Sequence, residues 1–540
     1  MKKSLLILLL LVSYTVNAQN FQWVRNQYHP ITYNPETTAF PSSADNQGNI
    51  IYGGIYEFKL SYGSKFYGDV FIRKYSSVGT LQYSKIFIGR AVISYVQTDM
   101  NNNVYVAGVF LDSLKIDSLN YLYNTGSGFN RNYFIVKFNS SGGVVWKKNL
   151  NADYTGSLTL EALKVKGNAI YLGFYAGSSQ SFIKKLDLNG NEILSILHTP
   201  ATSITTIDAD ANGYIYSGGA CDHNSISFGG LVASSSHFYN VYFAKFSPSG
   251  NGIWVRFVED ITFQKAEVVC DISGNVYAAG FLSGSFMFGN IQAQGPQWLY
   301  DFFLTKIDSS GTFLWLREVP NVPGNPTGDA SKGKLNGIAV DSQDNVILAG
   351  FTRGNINWGN NVVTSSSAER DILILKYDSS GTILWGKTAG GAGNDRVDAV
   401  SFDNSGNLLL SGNFALTAMF DTIMVIGSGY INSYVAKIFP GTATGIGNNS
   451  IVLSYRLHQN YPNPFNPTTT IKYSLDRSSA VKIILYDVLG KEISILVNGL
   501  YTAGNHTAEF SPDNLSTGVY YYSMFVDGVL YDTKKMLLIK

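Results

Sequence analysis

The chain has 540 residues, with 39 Lys and Arg against 38 Asp and Glu, for a formal net charge of +1. That near-neutral balance provides no global field to draw in nucleic acid or anionic lipid, so both are disfavoured as partners. Charged residues make up only 14%, while 54 Gly and 14% aromatic residues give the profile of a β-rich, turn-rich exported protein.

The first residues read as a secretion signal. Lys2 and Lys3 form a basic start, Leu5 to Val12 an apolar stretch, and Val16-Asn17-Ala18 a small-residue cleavage site, which predicts a signal peptide over 1–18 and a mature chain from Gln19. The apolar stretch is too short to cross a ~30 Å hydrocarbon core, and no later run reaches the ~18 apolar residues a spanning helix needs. No membrane span is expected. Gln19 rather than Cys follows the cut, so no thiol is available there for a lipid anchor.

From residue 19 to 439 one pattern recurs: Asp, two residues, Gly-Asn or similar, then alternating apolar residues ending in small-Gly. The copies begin at Asp45, Asp99, Lys164, Asp210, Asp271, Asp341 and Asp403, and their fourth residues are Gly48, Asn102, Gly167, Gly213, Gly274, Asp344 and Gly406. All but the last are followed by a segment such as FIVKFNSSGGVVWKK (134–148) or LILKYDSSGTILWGK (373–387). These read as two period-two strands around a Ser/Gly turn. Each repeat thus supplies four strands, as in a propeller blade.

The last copy reaches Tyr434-Val-Ala-Lys-Ile438 without a Trp strand, whereas Phe21-Gln-Trp-Val-Arg25 matches Ile253-Trp-Val-Arg256. The N-terminal strand is therefore expected to close the last blade, which removes an open edge. The predicted fold is all-β, a seven-bladed β-propeller of four-stranded blades. The runs from Thr388 to Gly412 and from Asp371 to Lys387 resemble the SBBP repeat, a bacterial family associated with β-propellers; the likeness implies the fold and is nearly silent on activity.

Residues 440–453 are small, polar and Gly-rich, and read as a linker. Over 454–540, alternating strands separated by Gly and Asn turns predict an Ig-like β-sandwich. Asn460-Tyr-Pro-Asn-Pro-Phe-Asn-Pro-Thr-Thr469, Tyr486-Asp-Val-Leu-Gly490 and Leu515-Ser-Thr-Gly-Val-Tyr520 stand in order before a basic and apolar end. These segments resemble the type A C-terminal sorting domain of the type IX secretion system of Bacteroidetes, with Asn460, Pro462, Asn463, Pro464, Phe465, Gly490 and Gly518 as its motif residues. The resemblance implies an outer-membrane translocon as partner and a secreted or cell-surface destination reached through the periplasm. It also implies removal of the domain and attachment of the cargo to the surface in many relatives.

Candidate chemistry is sparse. The repeated Asp is expected to accept backbone hydrogen bonds in a tight turn rather than bind metal. Asp69, Asp301 and Asp371, before three Phe-x-x-Lys strands, are likewise expected to be structural. Asp208, Asp210 and Asn212 alternate oxygen side chains before Gly213, like the first half of a calcium loop, but Gly219 stands where such a loop needs a bidentate Glu. Calcium is thus the one cofactor with a candidate site. His223, beside Asp222, and the nearby His237 lack a Gly-x-Ser-x-Gly elbow. Cys221 and Cys270 are expected at opposite ends of their strands, hence free and buried. Trp23, Trp146, Trp254, Trp315 and Trp385 recur at equivalent places and are expected to pack blades.

The irregular insertions 111–132, 222–240 and 283–301, with Trp298 and several Tyr, are where binding is expected, on loops of a rigid scaffold. The sequence therefore favours a monomeric, noncatalytic module binding a glycan, protein or polymer over a carbohydrate-active hydrolase or lyase with acids in the channel.

Overall fold

The computed structural model describes residues 19–28, 39–62, 65–124, 131–152, 156–177, 179–261, 266–295, 301–320, 328–366, 369–427, 431–439, 456–475, 479–488, 491–501, 504–512, 515–526 and 529–539. The expected signal peptide, the 440–453 linker, Trp298 and Gly490 lie outside them. Among the described residues every regular element is a β-strand, in two compact units, Gln19–Pro440 and Gly441–Lys540.

The larger unit is a β-propeller built from four-stranded antiparallel arrays. The Asp271 array shows the plan: Glu267–Cys270, Val276–Phe281, Phe302–Ile307 and Phe313–Arg317 pair in that order. The turn between first and second strand folds because its fourth residue adopts a left-handed conformation, with φ between +59° at Gly167 and +83° at Gly213. Gly takes that conformation freely and Asn or Asp with little strain, which is why Asn102 and Asp344 substitute for Gly there. The repeated Asp completes the turn: Oδ1 of Asp271 accepts the N–H groups of Ser273 at 3.0 Å and Asn275 at 2.9 Å. Asp45, Asp99, Asp210, Asp341 and Asp403 do the same.

The first strands follow one another around a ring, Ser42–Ala44 neighbouring both the second half of Leu81–Thr98 and Arg396–Phe402. Leu81–Thr98 runs unbroken, as fourth strand of one array in its first half and first strand of the next in its second. The ring closes through Asn20–Tyr28, which pairs antiparallel with Asn432–Phe439, Val24 opposite Ala436 and Arg25 opposite Val435. A strand from the start of the chain is thus the fourth strand of the last array, and Trp23 and Phe21 are buried there.

Antiparallel alternation puts both tight turns of each array at one end. The insertions between second and third strands, and the links to the next array, lie at the other. Three insertion hairpins, Ser225–Ser234, Met287–Gln292 and Thr417–Ile426, lie against the fourth strand of the preceding array.

The smaller unit is a β-sandwich. Arg456–Leu457, Thr469–Leu475 and Gly504–Phe510 form one sheet; Glu492–Tyr501, Ser479–Tyr486, Gly518–Val526 and Val529–Leu538 form the other in that order. Ile471, Tyr473 and Leu475 meet Ile483, Tyr522, Met524 and Leu538 in the shared core.

Candidate functional site

At the turn end, the third-strand Lys is buried in six arrays, as Lys74, Lys137, Lys245, Lys306, Lys376 and Lys437. Lys74, Lys376 and Lys437 reach Asp45, Asp341 and Asp403 of their own turns at 2.7, 2.8 and 2.9 Å. Several of these ammonium groups also donate to a carbonyl in the third-to-fourth-strand turn of the following array, an acceptor they share with a Trp. Trp254 Nε1 and Lys245 Nζ meet the Ser309 carbonyl at 3.1 and 3.2 Å. Trp315 and Lys306 meet that of Ser379 at 3.1 and 3.4 Å. Trp146 and Lys137 meet that of Leu188 at 3.1 and 3.0 Å. This end is a set of clasps between neighbours, and the repeated Asp serves them.

The Lys164 array departs from the pattern. Lys164 replaces the turn Asp, so Lys185 lies over the Tyr171 ring at 5.7 Å instead, and Leu194 stands at the Trp position. Lys164 and Lys166 turn to Asp208 on the next first strand, at 3.3 and 3.2 Å. Burial opposes the charge on Asp208, but the two ammonium groups and the N–H groups of Cys270 and Ala209 outweigh it and hold its carboxyl well below the usual carboxylate range.

Asp208, Asp210 and Asn212 therefore do not fit calcium. Asp208 is committed to two lysines, while Asp210 Oδ1 accepts Asn212 N–H at 2.9 Å and its Oδ2 accepts the Tyr216 hydroxyl at 3.0 Å. The alternation that looked like a cation loop splits at the strand end, sending Asp208 toward the preceding array and Asp210 into its own turn. Among the described residues no group of three or more His, Cys, Asp or Glu is placed to hold a metal ion.

Other first-strand acids also stitch neighbours together. Glu161 accepts the Ile204 N–H at 2.7 Å, Glu267 pairs with the fully buried Lys332 at 2.5 Å, and Asp398 accepts the Phe40 N–H at 3.2 Å.

Asp69, Asp301 and Asp371 belong to a wider set that the sequence reading only partly recovered, because Asn132, Ser181, Asn240 and Asn432 occupy the same buried place at the start of the third strand. Burial and the charge of Glu318 lift Asp301 to about 7 against the pull of the Val319 and Phe302 N–H groups. Asp371 and Asp395 form a close pair: a β-carbon on Gly390 would lie 2.2 Å from one carboxylate and 2.7 Å from the other. Burial, reinforced by the charge of Asp371, raises Asp395 to about 8 despite the N–H groups of Ala415 and Gly391. At 8% and 1% exposure the pair is closed to a substrate.

At the insertion end, His223 pairs with Asp222 at 2.8 Å. A group the sequence reading missed lies nearby: His237 Nδ1 is 2.9 Å from Ser236 Oγ and 3.1 Å from Glu259 Oε2, and Ser236 also donates to Glu259. Hydroxyl and carboxylate share one ring nitrogen, so the imidazole cannot relay a proton between them as a hydrolytic triad does. The same end carries exposed aromatics: Tyr123 at 66%, stacked on Tyr121, with Phe238 at 61% and Tyr239 at 56%. Cys221 and Cys270 are free and buried, and burial lifts the Cys221 thiol to about 11.

In the smaller unit the Asn460–Phe465 segment is stitched to strands on both sides. Tyr461 exchanges two backbone hydrogen bonds with Thr470, each 3.0 Å. Asn460 N–H donates to the Tyr522 hydroxyl at 2.7 Å, and Asn463 Oδ1 accepts the Leu537 N–H at 2.9 Å. Asn460 and Phe465 are buried, whereas Pro462, Asn463 and Pro464 are exposed. Gly518 opens the strand Gly518–Val526.

Residues 459–540 match the secretion system C-terminal sorting domain family. The C-terminal unit marks the chain for export by type IX secretion. The destination is the cell surface or the extracellular space. An uncharacterized WD repeat-containing protein of Acanthamoeba polyphaga mimivirus is 21% identical over 471 residues, covering 71% of this chain. This alignment takes in 31% of that relative's length. Among solved structures, the Dos1 propeller is similar with a TM-score of 0.37 at 9% identity, over 77% of this chain and 95% of that one. A putative 6-phosphogluconolactonase from Bacteroides uniformis ATCC 8492 is similar with a TM-score of 0.38 at 10% identity, over 72% and 100%.

Proposed function

We propose that this chain is a seven-bladed propeller of SBBP-repeat type, delivered to the periplasm by a signal peptide cut before Gln19. Type IX secretion carries it onward to serve as a noncatalytic binding module for a glycan, protein or polymer. The carrying observation is the contrast between its ends. At the turn end charged groups bridge neighbouring arrays, whereas the insertion end presents Tyr123 on one array, and Phe238 and Tyr239 on another next to Ser236 and His237, to solvent. Rigidly mounted rings with hydrogen-bonding neighbours suit stacking on sugar faces and apolar protein surfaces.

The test is binding of the purified mature chain to arrays of bacterial and plant polysaccharides, beside a Tyr123→Ala, Phe238→Ala, Tyr239→Ala triple variant. Binding lost in the triple variant without product release supports the reading. Turnover of a polysaccharide by the wild type, or binding unchanged in the variant, contradicts it.

A further inference from the structure

The sorting unit contains a feature that its export role alone does not explain. In Tyr461-Pro-Asn-Pro-Phe465 the alternate residues have opposite fates. Phe465 is 2% exposed and buried in the core, while Tyr461 is 81% exposed, the most exposed aromatic side chain among the described residues. Its backbone is nevertheless fixed. Besides the two bonds to Thr470, Asn460 Nδ2 donates to the Pro462 carbonyl at 3.1 Å and to Thr469 Oγ1 at 3.0 Å, and Thr469 Oγ1 donates to that same carbonyl at 2.8 Å. On the other side Phe465 N–H donates to the Leu537 carbonyl and Ile539 N–H to that of Phe465, both at 3.0 Å. The Asn463 amide reaches the Lys535 carbonyl at 3.3 Å.

The segment is thus two devices. Asn460, Asn463, Phe465 and Thr469 form a latch that holds the turn against the last strand. Tyr461, Pro462 and Pro464 form a ridge that the latch holds rigidly in water. A fixed ridge of one aromatic and two proline rings binds with little loss of conformational entropy, and proline-rich segments characteristically dock in aromatic-lined grooves.

We infer that the Tyr461–Pro464 ridge is the surface of the sorting unit gripped by a protein of the export machinery, in an aromatic-lined groove that stacks on the Tyr461 ring. The inference rests on the unit acting as the export signal, and deepens it by naming the contact.

The test uses the full chain in a host with type IX machinery, reading the fraction outside the outer membrane and the unfolding temperature of purified protein. Tyr461→Ala should lower the exported fraction at least tenfold with the unfolding temperature unchanged, and Tyr461→Phe should restore export. Unchanged export in Tyr461→Ala overturns the inference. If Tyr461→Ala also lowers the unfolding temperature, Asn463→Ala decides, because it loosens the latch and keeps the ring. Export retained at an equally lowered temperature assigns the loss to the ring, and export lost in proportion overturns the inference. A chain lacking 457–540 separates the two claims: its export would defeat the sorting role itself, whereas its retention alongside exported Tyr461→Ala would defeat only the ridge.

Discussion

The indole N–H of Trp23 donates to the carbonyl oxygen of Ser77 at 3.0 Å, and the same oxygen takes Lys437 at 3.4 Å. One residue from the start of the propeller and one from its end converge on the first array, as Trp254 and Lys245 do on Ser309. The other edge of the closing strand is held by Asp421, which accepts the Phe21 N–H at 2.9 Å and pairs with Lys387 at 2.5 Å. Trp23→Phe keeps most of the buried ring but leaves the carbonyl without this donor, and should cost about 1 kcal/mol. Trp23→Ala should cost about 3–5 kcal/mol. Urea unfolding of the mature chain checks both; equal stability of Trp23→Ala and wild type would show that the closing strand contributes nothing.

Lys376 and Asp341 form a clasp 2.8 Å long with both side chains almost fully buried. Removing one partner of such a pair strands the other charge, so Lys376→Met should destabilise by about 3–5 kcal/mol. Adding Asp341→Asn, which retains an acceptor for the turn N–H groups, should recover much of that loss. A double mutant no more stable than Lys376→Met would mean that the aliphatic stem, not the charge, carries the cost.

Asp301 makes the fold sensitive to rising pH. Its folded pKa of about 7 lies above the usual carboxylate value, so the unfolded chain releases this proton first, and stability falls as pH rises from about 4 to about 7. One oxygen accepts the Phe302 and Val319 N–H groups at 2.7 and 2.9 Å, while the other has no hydrogen-bond partner. Asp301→Asn keeps an oxygen that can accept the Phe302 and Val319 N–H groups and removes the charge. It should stabilise by on the order of 1–3 kcal/mol at pH 8 and by almost nothing at pH 4. Thermal unfolding at both pH values is the check, and an equal shift at both would refute the titration.

His198 works in the opposite sense. Burial depresses its imidazole to about 3, with Nδ1 2.9 Å from Thr202 Oγ1 and the ring stacked on Phe246. Below its ordinary value of 6.5 the unfolded chain takes up a proton that the folded chain refuses, so stability is lost as pH falls from about 6.5 toward 3. His198→Phe should flatten this acid loss. Parallel pH profiles for variant and wild type would show that His198 is not its source.

The repeat was legible because its turns demand particular residues: a left-handed fourth position selects Gly, Asn or Asp, and the Asp at its head has two N–H groups to accept. The closing strand was legible because Trp23-Val-Arg25 repeats Trp254-Val-Arg256, and both perform the same clasp, Arg25 to the Gly79 carbonyl and Arg256 to that of Gly311, each at 2.7 Å. Pairings between arrays were not. Lys164 and Asp208 are joined only by the ring, so the spacing Asp208, Asp210, Asn212 offered a calcium-loop candidate without showing that two lysines already face Asp208. The cluster of Ser236, His237 and Glu259 likewise forms only when an insertion folds back onto a fourth strand. In the sorting unit the motif was readable as a string, but its division into latch and ridge depends on the last strand, about 75 residues away.

The C-terminal unit directs export, and the location of the chain tests this most directly. In a host with type IX machinery, the full chain and a chain ending before Leu457 should be compared by protease accessibility on intact cells and by immunoblot of medium and periplasm. The full chain should be at the surface or in the medium and the shortened chain folded in the periplasm. A shortened chain that reaches the outside as efficiently as the full one would contradict the account.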